Sequence, residues 1–355
     1  MKICFFVGNI YKIGGIQRVV IDIANSLSNN TKYKICIASL FKTDMQIPFK
    51  LNNNIDVIDI IEYECNIYKN YFNIYKNIKR KLNYDIDILI TSPAVLSIFT
   101  IPIFKWKAKK IITWEHGSYD SCKKLSITNL GRIISIYLSN KYIVLTKQDF
   151  EIYKKLYKRK NIYHIYNPCK YLKSDINLNI NKKKIITVGR IEHSKGIDLL
   201  IEVASKVLKN HSDWEWHIYG SGKESNNIYK LITDKGLENN IKLLGENNKI
   251  INEYSKYSLF VCTSRVEGFG LALIEAKQNN LPIVSFRCSG PSEIIRDGVD
   301  GYIIDKYNIE EMSRKIIKLI EDDSKRIEFS KEASKNLNKF DLDKITKKWE
   351  EILIN

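Results

Sequence analysis

Short apolar runs of strand length alternate with amphipathic stretches of helix length along the chain, and the alternation breaks once before restarting. The first series comprises Ile3–Val7, Ile35–Leu40, Val57–Ile60, Ile88–Thr91, Ile111–Trp114, Tyr142–Leu145 and Ile162–Tyr166, with helix-like Ile16–Ser28 and Lys147–Lys158 between some of them. Strands spaced by helices form βαβ units and a parallel sheet. The break falls at Asn167-Pro168 and the polar stretch Ser174–Lys184. The second series then runs through Ile185–Val188, Trp216–Tyr219, Ile241–Leu244, Leu259–Cys262 and Ile283–Ser285. Its helices are expected at Asp198–Lys209, Lys223–Lys235, Leu271–Gln278 and Ile309–Ile320. The pattern predicts an α/β chain of two Rossmann-like, doubly wound domains, residues 1–168 and 184–340, joined by a linker over 169–183. A last helix over 341–355 carries the stripe Ile345, Trp349, Ile352 and Leu353 and is expected to pack on the first domain. Ligands of such sheets bind beyond the carboxyl ends of the strands, so the cleft between two facing sheets is the expected active site.

No apolar run approaches the roughly 20 residues of a spanning helix, and Met1–Val7 lacks the long apolar region of a secretory signal. The seven cysteines are scattered with no C-x-x-C pair, which fits reduced thiols and a cytoplasmic protein. The net charge of +17 is unevenly placed. Residues 1–180 hold 28 Lys and Arg against 13 Asp and Glu, whereas residues 181–355 hold 29 against 27. An anionic partner for the first half is therefore expected: nucleic acid, a membrane surface or a phosphorylated acceptor.

The chemistry should lie in the strand-to-helix turns. Gly14 and Gly15 follow the first strand, where two glycines let the backbone approach an anion. Neither this turn nor Gly220-Ser221-Gly222 completes the G-x-G-x-x-G of a dinucleotide site, which argues against a nicotinamide enzyme. Gly189-Arg190 and Lys195-Gly196 offer a planar cation and a mobile one that can converge on a diphosphate. The third turn, Ser264 to Ala276, is the most informative. Glu267 falls in a glycine-rich loop, the amides of Phe269, Gly270 and Leu271 open a helix, and Glu275 follows eight residues after Glu267. Two carboxylates so placed can accept hydrogen bonds from two sets of vicinal hydroxyls, one on a sugar and one on a ribose. Asp85-Ile86-Asp87 has the D-x-D form of a metal site, but it precedes its strand and so lies at the wrong end of the sheet. Asp341-Leu342-Asp343 reads as a helix-start cap. No metal site is expected.

The Glu267–Glu275 segment resembles the E-x7-E motif of family-4 retaining glycosyltransferases, which have the two-domain GT-B fold. The resemblance runs along nearly the whole chain. Gly14-Gly15 matches the family's first glycine loop and Trp114-Glu115-His116-Gly117 its central histidine motif. Arg190 and Lys195 match its diphosphate pair, Gly220-Ser221-Gly222 its G-x-G turn, and Ser289–Glu293 and Asn308–Ile317 its later blocks. The resemblance implies that Glu267 binds the transferred sugar, Glu275 the ribose, and Arg190 and Lys195 the leaving diphosphate, with His116 near the donor sugar. It also implies retention of configuration, no metal or other cofactor, and a UDP-linked hexose or N-acetylhexosamine as donor.

The acceptor belongs with the basic first half. Residues 67–82 interleave Tyr68, Tyr71, Phe72 and Tyr75 with Lys69, Lys76, Lys79, Arg80 and Lys81, and residues 101–110 add Phe104, Trp106 and four lysines. Aromatic and cationic residues together suit an anionic membrane interface. The expected acceptor is a lipid-linked glycan of a bacterial surface polysaccharide (O-antigen, capsule or lipopolysaccharide), met by an enzyme peripheral on the inner membrane. A nucleic-acid-binding protein would account for the charge but not for the glycine turns and paired glutamates. A nucleotide-sugar epimerase or a phosphorylase would use a similar cleft, although no lysine signature for pyridoxal phosphate is present.

Overall fold

A computed structural model describes residues 1–122, 126–170 and 182–355. The chain divides into two compact units, Met1–Pro168 with Phe340–Asn355, and Cys169–Lys339. Most of the linker expected over 169–183 lies outside the described residues.

In the first unit the strands are β1 (Lys2–Val7), β2 (Lys34–Phe41), β3 (Asp56–Ile61), β4 (Ile88–Ser92), β5 (Lys110–Trp114), β6 (Lys141–Val144) and β7 (Ile162–His164). They form one parallel sheet in the order β3-β2-β1-β4-β5-β6-β7. The direction of winding reverses between β1 and β4, and there the strand ends leave a crevice for a ligand. The central strands are buried on both faces, as a parallel sheet covered by helices requires. The covering helices are α1 (Gly15–Ser28), α2 (Tyr71–Lys81), α3 (Ser97–Phe104), α4 (Ile127–Leu138) and α5 (Lys147–Tyr157). In α1, Val19, Val20, Ile23, Ala24 and Leu27 form the inward stripe.

The second unit repeats the plan with β8 (Lys184–Val188), β9 (Glu215–Tyr219), β10 (Ile241–Gly245), β11 (Leu259–Cys262), β12 (Ile283–Phe286) and β13 (Gly301–Ile304), ordered β10-β9-β8-β11-β12-β13 and parallel throughout. Its winding reverses between β8 and β11. The helices are α6 (Ile197–Leu208), α7 (Ser225–Asp234), α8 (Leu271–Gln278), α9 (Ser289–Ile294), α10 (Ile309–Glu321) and α11 (Asp323–Ala333). Leu200, Ile201, Val203 and Val207 of α6 meet Trp216, Val261 and Ile316 in its core. Strand β13 is absent from the series read off the sequence: it opens on Gly301, and its apolar part, residues 302–304, is closed in by Asp300 and Asp305.

The last helix, α12 (Leu342–Ile354), returns to the first unit. Trp349 packs edge-on against Trp114 at 4.7 Å. Its final carbonyls accept two lysines, Ile352 O from Lys141 Nζ and Leu353 O from Lys110 Nζ, each at 2.9 Å. Cations at a helix carboxyl end oppose the negative end of its dipole. The Asp341 side chain caps the other end, accepting from Lys344 N at 3.1 Å. Phe340, expected in the second domain, belongs to the first unit, where its ring meets Tyr166 at 5.0 Å.

Candidate active site

The second unit places Arg190, Lys195, Arg265 and Glu267 in the loops at the β8/β11 reversal. The loop after β8 holds Gly189, Arg190 and Lys195 and ends at Gly196, which caps α6; the loop after β11 runs from Thr263 to Gly270. The two loops are tied at several points. Arg265 N and Val266 N both donate to Ser194 O, at 2.9 and 3.2 Å, and Thr263 Oγ1 donates to Gly196 O at 2.8 Å. The Arg265 guanidinium grips both oxygens of Asp198, at 2.7 and 2.6 Å. Such a fork fixes orientation as well as distance.

This scaffold brings together Lys195 and Glu267, whose Nζ and Oε2 lie 2.6 Å apart with both side chains largely covered. Burial opposes the charge on Lys195, but the Glu267 carboxylate holds its ammonium above the usual lysine range. Arg190 stands apart from that pair. Its guanidinium is mostly exposed and meets Glu192 at 3.1 Å, so it is a solvated cation at the loop's rim.

The glycines shape these turns. Gly270 caps α8 with φ of 96°, a left-handed conformation that side chains rarely adopt. A Cβ on Gly220 would lie 2.0 Å from Gly189 O, so the turn after β9 can close over the turn after β8 only without a side chain there. Phe269 and Gly270 are buried and Leu271 is partly covered. Glu275 lies on α8 and is nearly buried, and its Oε2 accepts from the hydroxyl of buried Tyr254 at 2.8 Å. Tyr254 is missed by motif reading because it sits 21 residues upstream in a short irregular turn.

In the first unit, Gly14 is extended and opens α1 at Gly15 after β1, while His116 follows β5. His116 Nε2 lies 2.8 Å from Ser92 Oγ at the end of β4, and its ring lies 4.6 Å from that of Trp114. Burial pushes the imidazole down to about 3, so it is neutral at physiological pH. Beneath it lies a buried network that motif reading missed. Glu115 Oε2 meets Arg132 Nε at 3.2 Å, with both side chains buried. Glu115 Oε1 accepts from Gly117 N at 2.9 Å. Arg132 also donates to Tyr119 O at 2.9 Å and to Ser118 O at 3.1 Å. The pair thus holds both flanks of the His116-Gly117 turn. Its one sequence signal is a lone arginine inside the otherwise uncharged α4.

Asp87 of the D-x-D sequence precedes β4 and is engaged at the amino end of the sheet, accepting from Lys2 N at 2.8 Å and pairing with Lys109 at 2.7 Å. Among the described residues no three His, Cys, Asp or Glu side chains cluster as metal ligands, and no helix is long and apolar enough to cross a membrane.

The family "Glycosyl transferases group 1" matches residues 170–336. A Haemophilus influenzae "uncharacterized glycosyltransferase" is 27% identical over 354 residues, covering 99% of each chain. The amylovoran biosynthesis glycosyltransferase AmsD of Erwinia amylovora is 27% identical over 367 residues, again covering 99% of each. The crystal structure of HepE from Anabaena, in complex with UDP and glucose, superposes with a TM-score of 0.85 over 100% of both chains at 18% identity. Residues 170–336 thus carry a group 1 glycosyltransferase domain, and two parallel-sheet units of this topology give the chain the GT-B fold.

Proposed function

We propose that the chain is a retaining, metal-independent glycosyltransferase that moves a hexose or N-acetylhexosamine from a UDP-sugar to a lipid-linked or glycan acceptor of a bacterial surface polysaccharide. It would work in the cytoplasm at the inner face of the membrane. The observation that carries the reading is the Lys195–Glu267 contact, set at the β8/β11 reversal inside the family-matched region. The UDP and glucose held by HepE and the polysaccharide named for AmsD support the donor and pathway class.

In this reading Lys195 and Arg190 take the diphosphate, Lys195 exchanging its contact with Glu267 for phosphate oxygens as the donor enters. Glu267 then accepts from sugar hydroxyls and Glu275 from the ribose, while the amides of Phe269, Gly270 and Leu271 and the turns at Gly189 and Gly220 line the donor. Gly14, Gly15 and neutral His116 serve from the first unit. The bond between the anomeric carbon and the diphosphate oxygen breaks while the acceptor oxygen bonds to that carbon on the same face. The acceptor proton passes to the departing diphosphate, which leaves no general base to be named. Stabilising charge on that leaving group is the largest part of the protein's task.

The test is a thermal-shift screen of nucleotide sugars, followed by donor hydrolysis and transfer assays on wild type, Glu267→Ala and Glu275→Ala. Either substitution should lower transfer by about 10²–10³-fold with the circular dichroism spectrum unchanged. Full activity in Glu267→Ala would remove the site assignment, and a screen in which no UDP-sugar raises the melting temperature would remove the donor.

A further inference from the structure

Helix α4 is inside out. Its inward residues are Gly131, Arg132, Ser135 and Ile136, small or polar for the most part. Close packing explains the choice, since a Cβ on Gly131 would lie 2.8 Å from the backbone of Val95. The outward residues are Ile127, Leu130, Ile133, Tyr137 and Leu138, all exposed, with Leu130 at 52%. Positions 127, 130, 133 and 137 follow the helical repeat, so they make one stripe. The helix carries no charge except Arg132, which is buried. A solvated helix would present the opposite pattern.

The stripe ends in a strongly basic pocket of about 520 Å³, lined by Tyr137 and Leu138 together with Lys105, Lys158, Arg159 and Lys160. Lys105 Nζ reaches back to Leu138 O at 2.8 Å, and the Arg159 guanidinium lies 5.2 Å from the centre of the Tyr137 ring. None of the described residues lining the pocket is acidic. Trp106, next to Lys105, is 91% exposed. Apolar side chains beside four cations that have no carboxylate partner among the described residues complement a surface that is oily below and anionic above. A second copy of the unit would bring like charge toward like.

We infer that the outward face of α4 and the adjoining basic pocket form the docking surface for an anionic bilayer, with the stripe entering the interface and the pocket taking a phosphoester headgroup. The inference rests on the reading that the enzyme works at a membrane, and moves the contact away from α2, the segment richest in aromatic and basic residues. Tyr71 of α2 is turned inward, stacking on Phe99 at 5.0 Å, and Lys81 is taken up by Glu62 at 2.9 Å. Phe72 is the large apolar side chain of α2 left open, at 85%.

The test is co-sedimentation of the full chain with vesicles of phosphatidylcholine alone or mixed with phosphatidylglycerol, at low and high salt. Wild type should bind only the phosphatidylglycerol vesicles, and less at high salt. Leu130→Ser with Tyr137→Ser, and separately Lys158→Ser with Arg159→Ser and Lys160→Ser, should each weaken partitioning by about tenfold or more, while Phe72→Ser leaves it intact. Hydrogen exchange on the unaltered protein should show new protection over 127–138 and 158–161 when vesicles are present. Wild-type indifference to phosphatidylglycerol would end the membrane reading and this inference together, leaving the transferase reading standing. Equal binding by the α4 and pocket variants would end only this assignment. So would a wild-type dimer in sedimentation velocity that the α4 variant dissolves without loss of vesicle binding.

Discussion

The two units share a topology but build their strand-end sites from different materials. In the second unit, the loops at β8 and β11 are locked by backbone hydrogen bonds and by charges that meet across the loops, Lys195 with Glu267 and Arg265 with Asp198. Lys195 and Glu267 are largely covered but keep some exposure, 22% and 15%, so a ligand can compete for them. In the first unit the turn at His116 is held from underneath, by a Glu115–Arg132 pair that no solvent reaches. Exchangeable charge suits a site whose ligand is itself charged. A permanently buried pair suits a turn whose shape has to persist whether or not a ligand is present.

The sharpest way to break this contrast is to remove one member of the buried pair. Arg132→Met leaves the Glu115 carboxylate without its cation in a place water cannot enter, and should destabilise the fold by about 3–5 kcal/mol. Denaturant melts would show it as a lower midpoint at constant slope. Arg132→Met combined with Glu115→Gln should recover part of the loss, because no unpaired charge is then left behind. If the single and double variants melt alike, the pair is not what holds the turn.

The same contrast decides how much could be read from the sequence. In the second unit, close backbone approach at Gly220 and positive φ at Gly270 demand particular residues at particular places, and such demands leave motifs. The glycines of those turns stood out for that reason, and they marked the loops that hold Lys195 and Glu267. The alternation of strands and helices was legible too, since buried parallel strands must be apolar for their whole length. Tyr254 and Arg132 were not, because each reaches its partner across 17 or more residues through the fold, and one tyrosine or arginine carries no pattern. Helix α4 misleads in a further way. Its apolar residues point outward, so the stripe that normally marks a buried face marks the exposed one. On α2 the reverse holds, and Tyr71, which reads as surface beside so many lysines, is packed on the core.

A smaller effect separates the two sites by pH. His116 is held neutral, its folded value near 3 against 6.5 in the unfolded chain. Above about pH 6.5 neither state binds the proton and stability is unaffected. As pH falls from there toward 3, the unfolded chain takes up a proton that the folded one refuses, so stability declines through that window. Lys195, held above the ordinary lysine range, contributes in the opposite sense. Its share is fully present below about pH 10 and is lost as pH rises from there through its folded value. Imidazole carbon and nitrogen shifts recorded between pH 4 and 8 should therefore show His116 untitrated, and His116→Asn should flatten the acid limb of the stability profile. A midpoint near 6.5 for His116 would mean that the turn opens to water, and the difference between the two sites would shrink accordingly.

The smallest expected effect concerns the element that both sequence and structure assign to the first unit. Asp341 caps α12 by accepting from Lys344 N, and Asp343 adds a second negative charge to the first turn. Asp341→Ala removes a cap at a helix start that is otherwise exposed, and caps of this kind are worth about 1 kcal/mol. The helix is pinned at its far end by Trp349 against Trp114 and by Lys110 and Lys141 on its last carbonyls. Fraying of the first turn should therefore stay local, lowering the melting temperature by a few degrees without altering donor binding. Trp349 lies one ring away from Trp114, and Trp114 one ring away from His116. If Asp341→Ala shifts the His116 resonances, that chain of rings transmits motion from the terminal helix to the turn. If they stay in place while only the melting temperature moves, α12 acts as a brace for the sheet, and the Glu115–Arg132 pair alone sets the geometry of the histidine.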